Sequence, residues 1–287
     1  MNSILKYALI AAALGAVVPA HAHRAWMLPS ATVLSGEDPW ITVDAAVSNN
    51  LFNFEHFPLR LSGIGETASA NKAANERTPS QLQITAPDGT QLAGENGNTG
   101  RYRTTFDVHL IQKGTYKLAL ENARLMATYT ENGERGRWIG ELEDLQANLP
   151  GSADDIEVVQ SNSRMEVFVT SGKPTETVFQ TTGEGLEITP LTHPNDLYAG
   201  ETAEFVFTID GEPAADIDVN IIPGGNRYRD ELGEMTLKTN ADGKVDITWP
   251  AAGMYWLEAE LDTTEGVAPP VTRRRASYSA TLEVMAL

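Results

Sequence analysis

The chain has 287 residues, with 39 acidic against 21 basic side chains, a formal charge of −18 and no cysteine. Such an acidic surface repels nucleic-acid phosphates and anionic lipid headgroups, which argues against both as partners. The lack of cysteine excludes disulfides, thiolate metal ligands, iron–sulfur clusters and a cysteine nucleophile.

The first 22 residues have the build of a secretory signal. Lys6 precedes an apolar run from Tyr7 to Val18, and small residues follow up to Ala20-His21-Ala22. The run is too short for a transmembrane helix, and an A-x-A box is typical of signal cleavage. We therefore expect residues 1–22 to be removed, leaving a soluble exported chain of about 265 residues, although Ala20 also offers a cleavage site.

The remaining sequence alternates short β-type runs with turns rich in Gly, Asn, Asp and Pro, which is typical of an all-β sandwich. The predicted strands are Trp40–Val47, Gln81–Thr85, Arg101–Leu110, Thr115–Leu120, Arg164–Thr170, Ala203–Ile209, Ile217–Ile222, Lys244–Trp249 and Met254–Leu261. One helix is predicted in RWIGELEDLQANLP (137–150), where Trp138, Leu142, Leu145 and Leu149 follow helical spacing and Pro150-Gly151 ends the element.

A weak internal repeat divides the chain in two. LPSATVLSGEDPWITVDA (28–45) resembles HPNDLYAGETAEFVFTIDG (193–211), and each half later carries Gly-x-Tyr, at Tyr116 and Tyr255. A tyrosine entering a late strand is typical of the tyrosine corner of immunoglobulin-like sandwiches. We predict two tandem immunoglobulin-like domains, 23–182 and 186–287, the first carrying the helix and the acidic stretch Ser152–Glu157.

Catalytic motifs are missing from the sequence. It contains no G-x-S-x-G elbow, P-loop or dinucleotide fingerprint, and no carboxylate pair stands out for glycoside hydrolysis. We therefore expect a protein that is not an enzyme.

His23 is the strongest candidate ligand for a metal. Cleavage after Ala22 makes it the first residue, so its α-amine and imidazole can chelate one ion together, and nitrogen donors suit Cu(II) and Ni(II). Cleavage after Ala20 leaves His21-Ala22-His23, which also offers a square-planar nitrogen site. The alternative is that a histidine near the cut is incidental.

Three further histidines are candidates for the second ligand. His56 follows Glu55 in an aromatic loop and is the best of them by chemistry, unless that loop only packs onto the core. His109 lies on the polar face of a predicted strand, where Asp107 is a same-face neighbour able to orient it or where it is merely solvated. His193 precedes a proline and reads either as a structural residue at the domain junction or as an interdomain ligand.

Two other features have structural interpretations. We expect Trp26 and Met27 to be the first core residues of the mature chain. The run Arg273–Arg275 is expected to form a salt-bridged edge of the last strand, with docking of an acidic partner as the alternative.

Several stretches resemble a bacterial family of exported proteins, the domain-of-unknown-function family 4198 (DUF4198), formerly described as NikM-like nickel-uptake components. The stretches are HAHRAWMLPS (21–30), GTYKLAL, EVFVTSGKPTE (166–176), GLEITPLTHPNDLYAGE (185–201), PGGNRYRDE and WPAAGMYWLEAE. The resemblance implies a periplasmic protein associated with transition-metal uptake or handling, and no established activity. In architecture alone the chain also resembles copper-carrying periplasmic sandwiches that begin with a histidine, and only His23 matches that pattern.

Three hypotheses follow. The first is a periplasmic protein that binds Cu(II), Ni(II) or, on the family's association with metal uptake, iron through His23 and one of the other three histidines, and that passes the ion to a membrane or outer-membrane transporter. The second is a metal-free tandem sandwich that docks a membrane transporter or receptor, without inserting into the membrane itself. The third is a copper-dependent oxidase with a histidine brace, which needs a second imidazole facing His23 on an open surface.

Overall fold

The computed structural model describes residues 23–65 and 79–287, and the predicted signal sequence lies outside these ranges. The described chain is almost entirely β-structure. Its first half contains β1 (Arg24–Pro29), β2 (Val33–Leu34), β3 (Trp40–Ser48), β4 (Phe57–Pro58), β5 (Leu61–Ser62), β6 (Ser80–Thr85), β7 (Gln91–Leu92), β8 (Glu95–Thr99), β9 (Thr104–His109), β10 (Gly114–Glu131), β11 (Glu134–Gly140), the helix α1 (Leu142–Asn148) and β12 (Asp154–Ser171).

The second half contains no α-helix between residues 172 and 287. Its strands are β13 (Leu186–Pro190), β14 (Thr202–Ile209), β15 (Glu212–Pro213), β16 (Asp218–Pro223), β17 (Met235–Lys238), β18 (Lys244–Thr248), β19 (Gly253–Thr263) and β20 (Arg273–Val284). Short 3-10 turns occupy Thr177–Phe179 and Asn226–Tyr228.

Each half forms an immunoglobulin-like sandwich with its own core. In the first, the sheet β1-β3-β9-β8 faces β6, β10 and β12; in the second, β13-β14-β15 with β18 faces β17-β16-β19-β20. Alternation explains the packing, since Thr104, Phe106 and Val108 of β9 are buried while the residues between them are partly exposed. The two largest cores use separate stretches, 27–169 and 186–284. The predicted all-β tandem architecture is therefore confirmed, while its domain boundaries stay a prediction.

One continuous sheet joins the two sandwiches. Val159–Val167 of β12 pair in parallel with Arg273–Thr281 of β20, so the second sandwich extends the larger sheet of the first. The arginine run lies at the start of β20 and is ion-paired as expected: Arg273 and Arg275 contact Asp262, and Arg274 contacts Asp210. The ion pairs predicted from sequence are therefore present, but the predicted edge position is wrong, because β20 is paired with both β19 and β12.

Both predicted tyrosine corners are formed. The hydroxyl of Tyr116 donates to the carbonyl of Gln112 at 2.9 Å, and that of Tyr255 donates to the carbonyl of Ala251 at 2.7 Å. Each tyrosine therefore bonds to the backbone four residues upstream, and both side chains are fully buried. The shared geometry agrees with the internal repeat.

Three elements differ in length from the sequence prediction: the helix α1 and the strands β10 and β12. The helix begins only at Leu142, because Trp138 lies in β11, where it packs beside Leu145 on the face shared with α1. The strands β10 and β12 each run for 18 residues, well beyond the predicted Thr115–Leu120 and Arg164–Thr170. Their backbones pair with each other as far as Thr130 and Asp154, which carries the strands through polar sequence.

Candidate metal centre

The first described strand, β1, lies between the two sandwiches. Trp26 and Met27 are both fully buried, as predicted, but they enter different clusters. Met27 joins the core of the first sandwich, whereas Trp26 packs with Ile222 and Trp256 of the second. Because adjacent strand residues point to opposite faces, β1 is held from both sides, and the backbone next to His23 is fixed.

Glu55 shapes the loop that carries His56. Its carboxylate accepts the backbone N–H groups of Asn49 at 2.9 Å and Asn50 at 2.8 Å, together with the side-chain amide of Asn50. Partial burial raises the pKa of Glu55, but these hydrogen bonds outweigh it and the net pKa lies below the usual range. The ionised carboxylate of Glu55 therefore stabilises the loop, and it already accepts hydrogen bonds from Asn49 and Asn50.

His23 and His56 meet at the end of β3. That strand pairs with β1 from Arg24↔Ser48 onward and with β4 at Val47↔Phe57, on its other edge. Both histidines immediately precede these pairing segments, so they lie on either side of the same strand end. Their rings are stacked, with centroids 3.9 Å apart and planes inclined by 9°.

The surroundings of the pair are aromatic and open. Phe57 lies beside His56 with centroids 4.5 Å apart and beside His23 at 6.1 Å. Both imidazoles are exposed, and Phe57 is 39% exposed. The phenyl ring gives the pair one apolar wall, while the remaining directions are accessible to a dissolved ion.

Two stacked imidazoles are an incomplete donor set for a metal. Parallel stacked rings hold their nitrogen lone pairs in two separate planes, so a shared ion requires one exposed ring to turn. Over residues 23–65 and 79–287, no group of three or more His, Asp or Glu side chains could hold a metal ion. Within these ranges the stacked pair therefore has no third His, Asp or Glu donor beside it.

His109 is placed far from this pair. It is opposite Trp40 at one end of β3, whereas Arg24 is opposite Ser48 at the other. Eight positions at the usual strand rise give a separation of roughly 26 Å. His109 therefore cannot share an ion with His23.

The side chain of His109 is contacted by Asp38 and not by Asp107, the same-face neighbour that the sequence offered. His109 lies on the partly exposed face of β9, as expected, but it contacts Asp38 and stacks on the Trp40 ring at 4.2 Å. Asp107 instead accepts hydrogen bonds from Thr42 and Asn96.

His193 is a structural residue with both ring nitrogens engaged. Its Nδ1 accepts the backbone N–H of Asn195 at 3.1 Å, which leaves the proton of the neutral ring on Nε2, 3.0 Å from Thr115 Oγ1. Thr115 then donates to Thr170, and Thr170 donates to the side-chain carbonyl of Asn195, closing a ring of hydrogen bonds. This ring ties the Thr-His-Pro-Asn segment of the second half to β10 and β12.

The charge state of His193 follows from this ring. Burial lowers its pKa below the usual 6.5, against opposing contributions from the Thr175 carbonyl and the carboxylates of Asp196 and Glu176. Protonation would also place a second N–H against the Asn195 donor. The neutral form of His193 is therefore favoured, and its hydrogen bonds join the second half of the chain to β10 and β12.

A polar cluster at the same junction has no signature in the sequence. Arg24 lies over the Trp256 ring at 5.5 Å, and its Nη1 atom is buried with no hydrogen-bond partner in the described structure. Nearby, burial raises the pKa of Glu258 to about 7, with Glu260 and Glu234 acting in the same direction and Arg24 opposing. The cluster depends on pairing between distant strands, which local sequence patterns do not encode.

The comparisons with known proteins identify a family. A family model described as "Domain of unknown function (DUF4198)" matches residues 20–263. The chain belongs to this family. No curated protein matches this DUF4198 chain.

Among solved structures, the "D0-D1 domain of Intimin" is similar over 90% of this chain and 97% of that chain, with 12% identity and a TM-score of 0.21. A TM-score this low carries no conclusion about fold or function. Within the described ranges, the DUF4198 chain has no helix that is both long and apolar enough to cross a membrane.

Proposed function

We propose that this DUF4198 protein binds one transition-metal ion through His23 and His56, and that Cu(II) or Ni(II) is favoured over iron. The observation that supports this most is the stacking of the two exposed imidazoles beside the end of β3, with ring centroids 3.9 Å apart. Of the three candidates for the second ligand, only His56 lies beside His23. Imidazole nitrogens suit copper, nickel and iron alike, whereas an additional amine nitrogen favours the square-planar ions.

The third donor in this proposal is the α-amine of His23, released by cleavage after Ala22. Two side chains alone bind an ion weakly, while an amine and imidazole on one residue with a facing imidazole give three nitrogen donors. Cleavage after Ala20 instead leaves His21 at the terminus, and the ion would then be held by the terminal tripeptide without His56. The two processing routes therefore predict different roles for His56.

The structure around the pair favours a defined site. β1 is held by both sandwiches, and the Glu55 carboxylate fixes the loop before His56. Fixed backbones on both sides limit how far the two rings can separate, although each ring can still turn. Such support lowers the entropy lost when an ion is bound.

The cellular role that we propose is uptake or handling of the metal in the periplasm, after export through the signal sequence, with delivery to a membrane transporter. The association with metal uptake that the sequence resemblance implies supports this role, and the acidic surface mildly concentrates cations. We propose no catalytic step.

Copper(II) electron paramagnetic resonance and titration test the assignment of His56. In a protein that begins at His23, His56→Ala should change the copper spectrum and weaken Cu(II) binding at least tenfold. His109→Ala is the matched control, because it removes an imidazole roughly 26 Å away, and it should leave both unchanged. An unchanged spectrum in His56→Ala would contradict the proposal.

A further inference from the structure

The strand β11 forms an open edge of the large sheet. It pairs with β10 from Leu125↔Gly140 to Glu131↔Glu134, and no other strand of the described ranges pairs with it. In an antiparallel pair, alternate residues direct their backbone N–H and C=O groups away from the partner strand. About half of the backbone polar groups of β11 are therefore available to a further strand.

The two faces of β11 have different chemistry. Trp138 points towards α1 and packs with Leu145 and Leu149. Arg135, Arg137 and Ile139 alternate with it and lie on the opposite face, where all three are exposed and Ile139 is 47% exposed. The outer face of the edge thus carries two cations followed by one apolar group.

The two arginines are free to bind a partner. Neither Arg135 nor Arg137 makes a hydrogen bond, ion pair or cation–π contact within residues 23–65 and 79–287, in contrast to Arg273, Arg274 and Arg275. Acidic side chains outnumber basic ones by 39 to 21 in the chain, so two adjacent unpaired arginines stand out. They attract an anionic group, and their guanidinium forks suit carboxylates.

Aromatic side chains cover the glycines of the edge. A Cβ atom on Gly136 would lie 2.3 Å from the Tyr129 ring, and one on Gly140 would lie 2.4 Å from the Trp138 ring. The rings therefore lie directly over the glycine backbone, as in sheets where aromatic side chains rescue glycine positions. The strand β11 is regular over seven residues and contains no proline. Neither a β-bulge nor a proline therefore prevents another strand from pairing with this edge.

We propose that β11 is a docking edge for an extended acidic segment of a partner protein, which adds to the sheet as a further strand. Strand addition satisfies the outward backbone groups of β11, which a lipid headgroup or a free anion cannot do along a whole edge. The overall negative charge also disfavours an anionic membrane. Pairing of β11 with a second copy of itself would bring like charges together on one face, which is destabilising.

The side chains of β11 specify the sequence of that segment. The segment runs antiparallel to β11, so on one face it carries an apolar residue opposite Ile139 and then two acidic residues at alternate positions, opposite Arg137 and Arg135. Cross-strand neighbours of this kind contribute through charge pairing and apolar contact. The docking is independent of the proposed metal site, so metal-free protein should bind the segment equally well.

A capped, fluorescently labelled peptide, Thr-Val-Thr-Glu-Thr-Glu-Thr, is the probe. The wild-type protein should bind it with a micromolar dissociation constant, measured by fluorescence anisotropy. The double variant Arg135→Glu/Arg137→Glu should bind at least tenfold more weakly. The control Arg101→Glu/Lys173→Glu changes the net charge by the same amount at two exposed positions of the first sandwich and should bind within twofold of wild type.

A second probe separates strand addition from charge attraction alone. Two further peptides carry N-methyl groups on the backbone amides of one edge or of the other edge. The peptide that is methylated on the edge facing β11 should not bind, although its charge is unchanged. Circular dichroism checks that the variants are folded. The proposal would be overturned by equal loss of binding in both double variants or by full binding of both methylated peptides. It would also be overturned if the wild-type protein did not bind the peptide at millimolar concentration, or bound anionic vesicles but not the peptide.

Discussion

The indole Nε1 of Trp256 donates a hydrogen bond to the carbonyl of Ala25, with a length of 3.1 Å. The bond joins a strand of the second sandwich to the second residue after His23, across 231 positions of sequence. Its consequence is that the backbone that carries His23 is anchored to both sandwiches. The geometry of the proposed metal site therefore depends on the junction between the two halves.

Replacing Trp256 with Phe should destabilise the protein by about 1 kcal/mol, since it removes the donor to a partly buried carbonyl and retains an aromatic ring beneath Arg24. The free energy of unfolding in urea measures the change. Trp40→Phe is the control, because the Trp40 side chain is 40% exposed and stacks on His109 only. A loss in the control as large as in Trp256→Phe would show that the hydrogen bond is not the cause.

The two tyrosine corners should contribute similarly to stability. Tyr116→Phe and Tyr255→Phe each remove a buried hydroxyl and leave a backbone carbonyl without its donor, which costs about 1–3 kcal/mol in each sandwich. Tyr228→Phe, at a side chain that is 83% exposed, should change the free energy of unfolding by less than about 0.5 kcal/mol. Equal midpoints for all three variants would refute the assigned corners.

Stability should fall in acid because of His193. Its pKa in the folded protein is lowered, so below pH 6.5 the unfolded chain binds a proton that the folded chain does not. The contribution is complete above pH 6.5 and is lost as the pH falls from 6.5 towards the lowered pKa. His193→Gln keeps a donor near Thr115 but cannot titrate, so its unfolding free energy should depend less on pH between 7 and 5. An unchanged pH dependence in His193→Gln would contradict this account.

Glu258 should have the opposite dependence. Its pKa is raised from 4.5 to about 7, so the folded protein binds a proton more tightly than the unfolded chain. Stability from the protonated form is present below pH 4.5 and is lost as the pH rises to about 7. At pH 8, Glu258→Gln should therefore be more stable than wild type by on the order of 1–3 kcal/mol, with little difference at pH 4. A constant difference across this range would contradict the raised pKa.

Much of the architecture can be predicted from sequence. Alternating apolar residues locate nine of the fifteen described strands that are longer than two residues, and the Gly-x-Tyr blocks locate Tyr116 and Tyr255, because both signals arise from neighbouring residues. The ends of β10 and β12 are different, since residues 121–124 are exposed and lack the alternation, and only pairing with the facing strand extends them. Helix α1 was extended too far because Trp138 fits helical spacing and strand alternation equally.

In the candidate site, too, features set by neighbouring residues could be predicted and features set by long-range pairing could not. His56 was the best second ligand on chemical grounds, and the structure places it beside His23. The contact of Asp38 with His109 was missed because it depends on the long-range pairing of Trp40 with His109. The closed hydrogen-bond ring at His193 likewise joins residues from three separate stretches of chain, which no local motif reveals.

The most direct test of the account is Cu(II) binding by two proteins that differ by one residue at the N-terminus. One begins at His23, and the other carries a single glycine before His23, which moves the α-amine off the histidine. Isothermal titration calorimetry should show one tightly bound ion in the first protein and binding at least tenfold weaker in the second. Equal affinity in the two proteins would contradict binding through the terminal histidine.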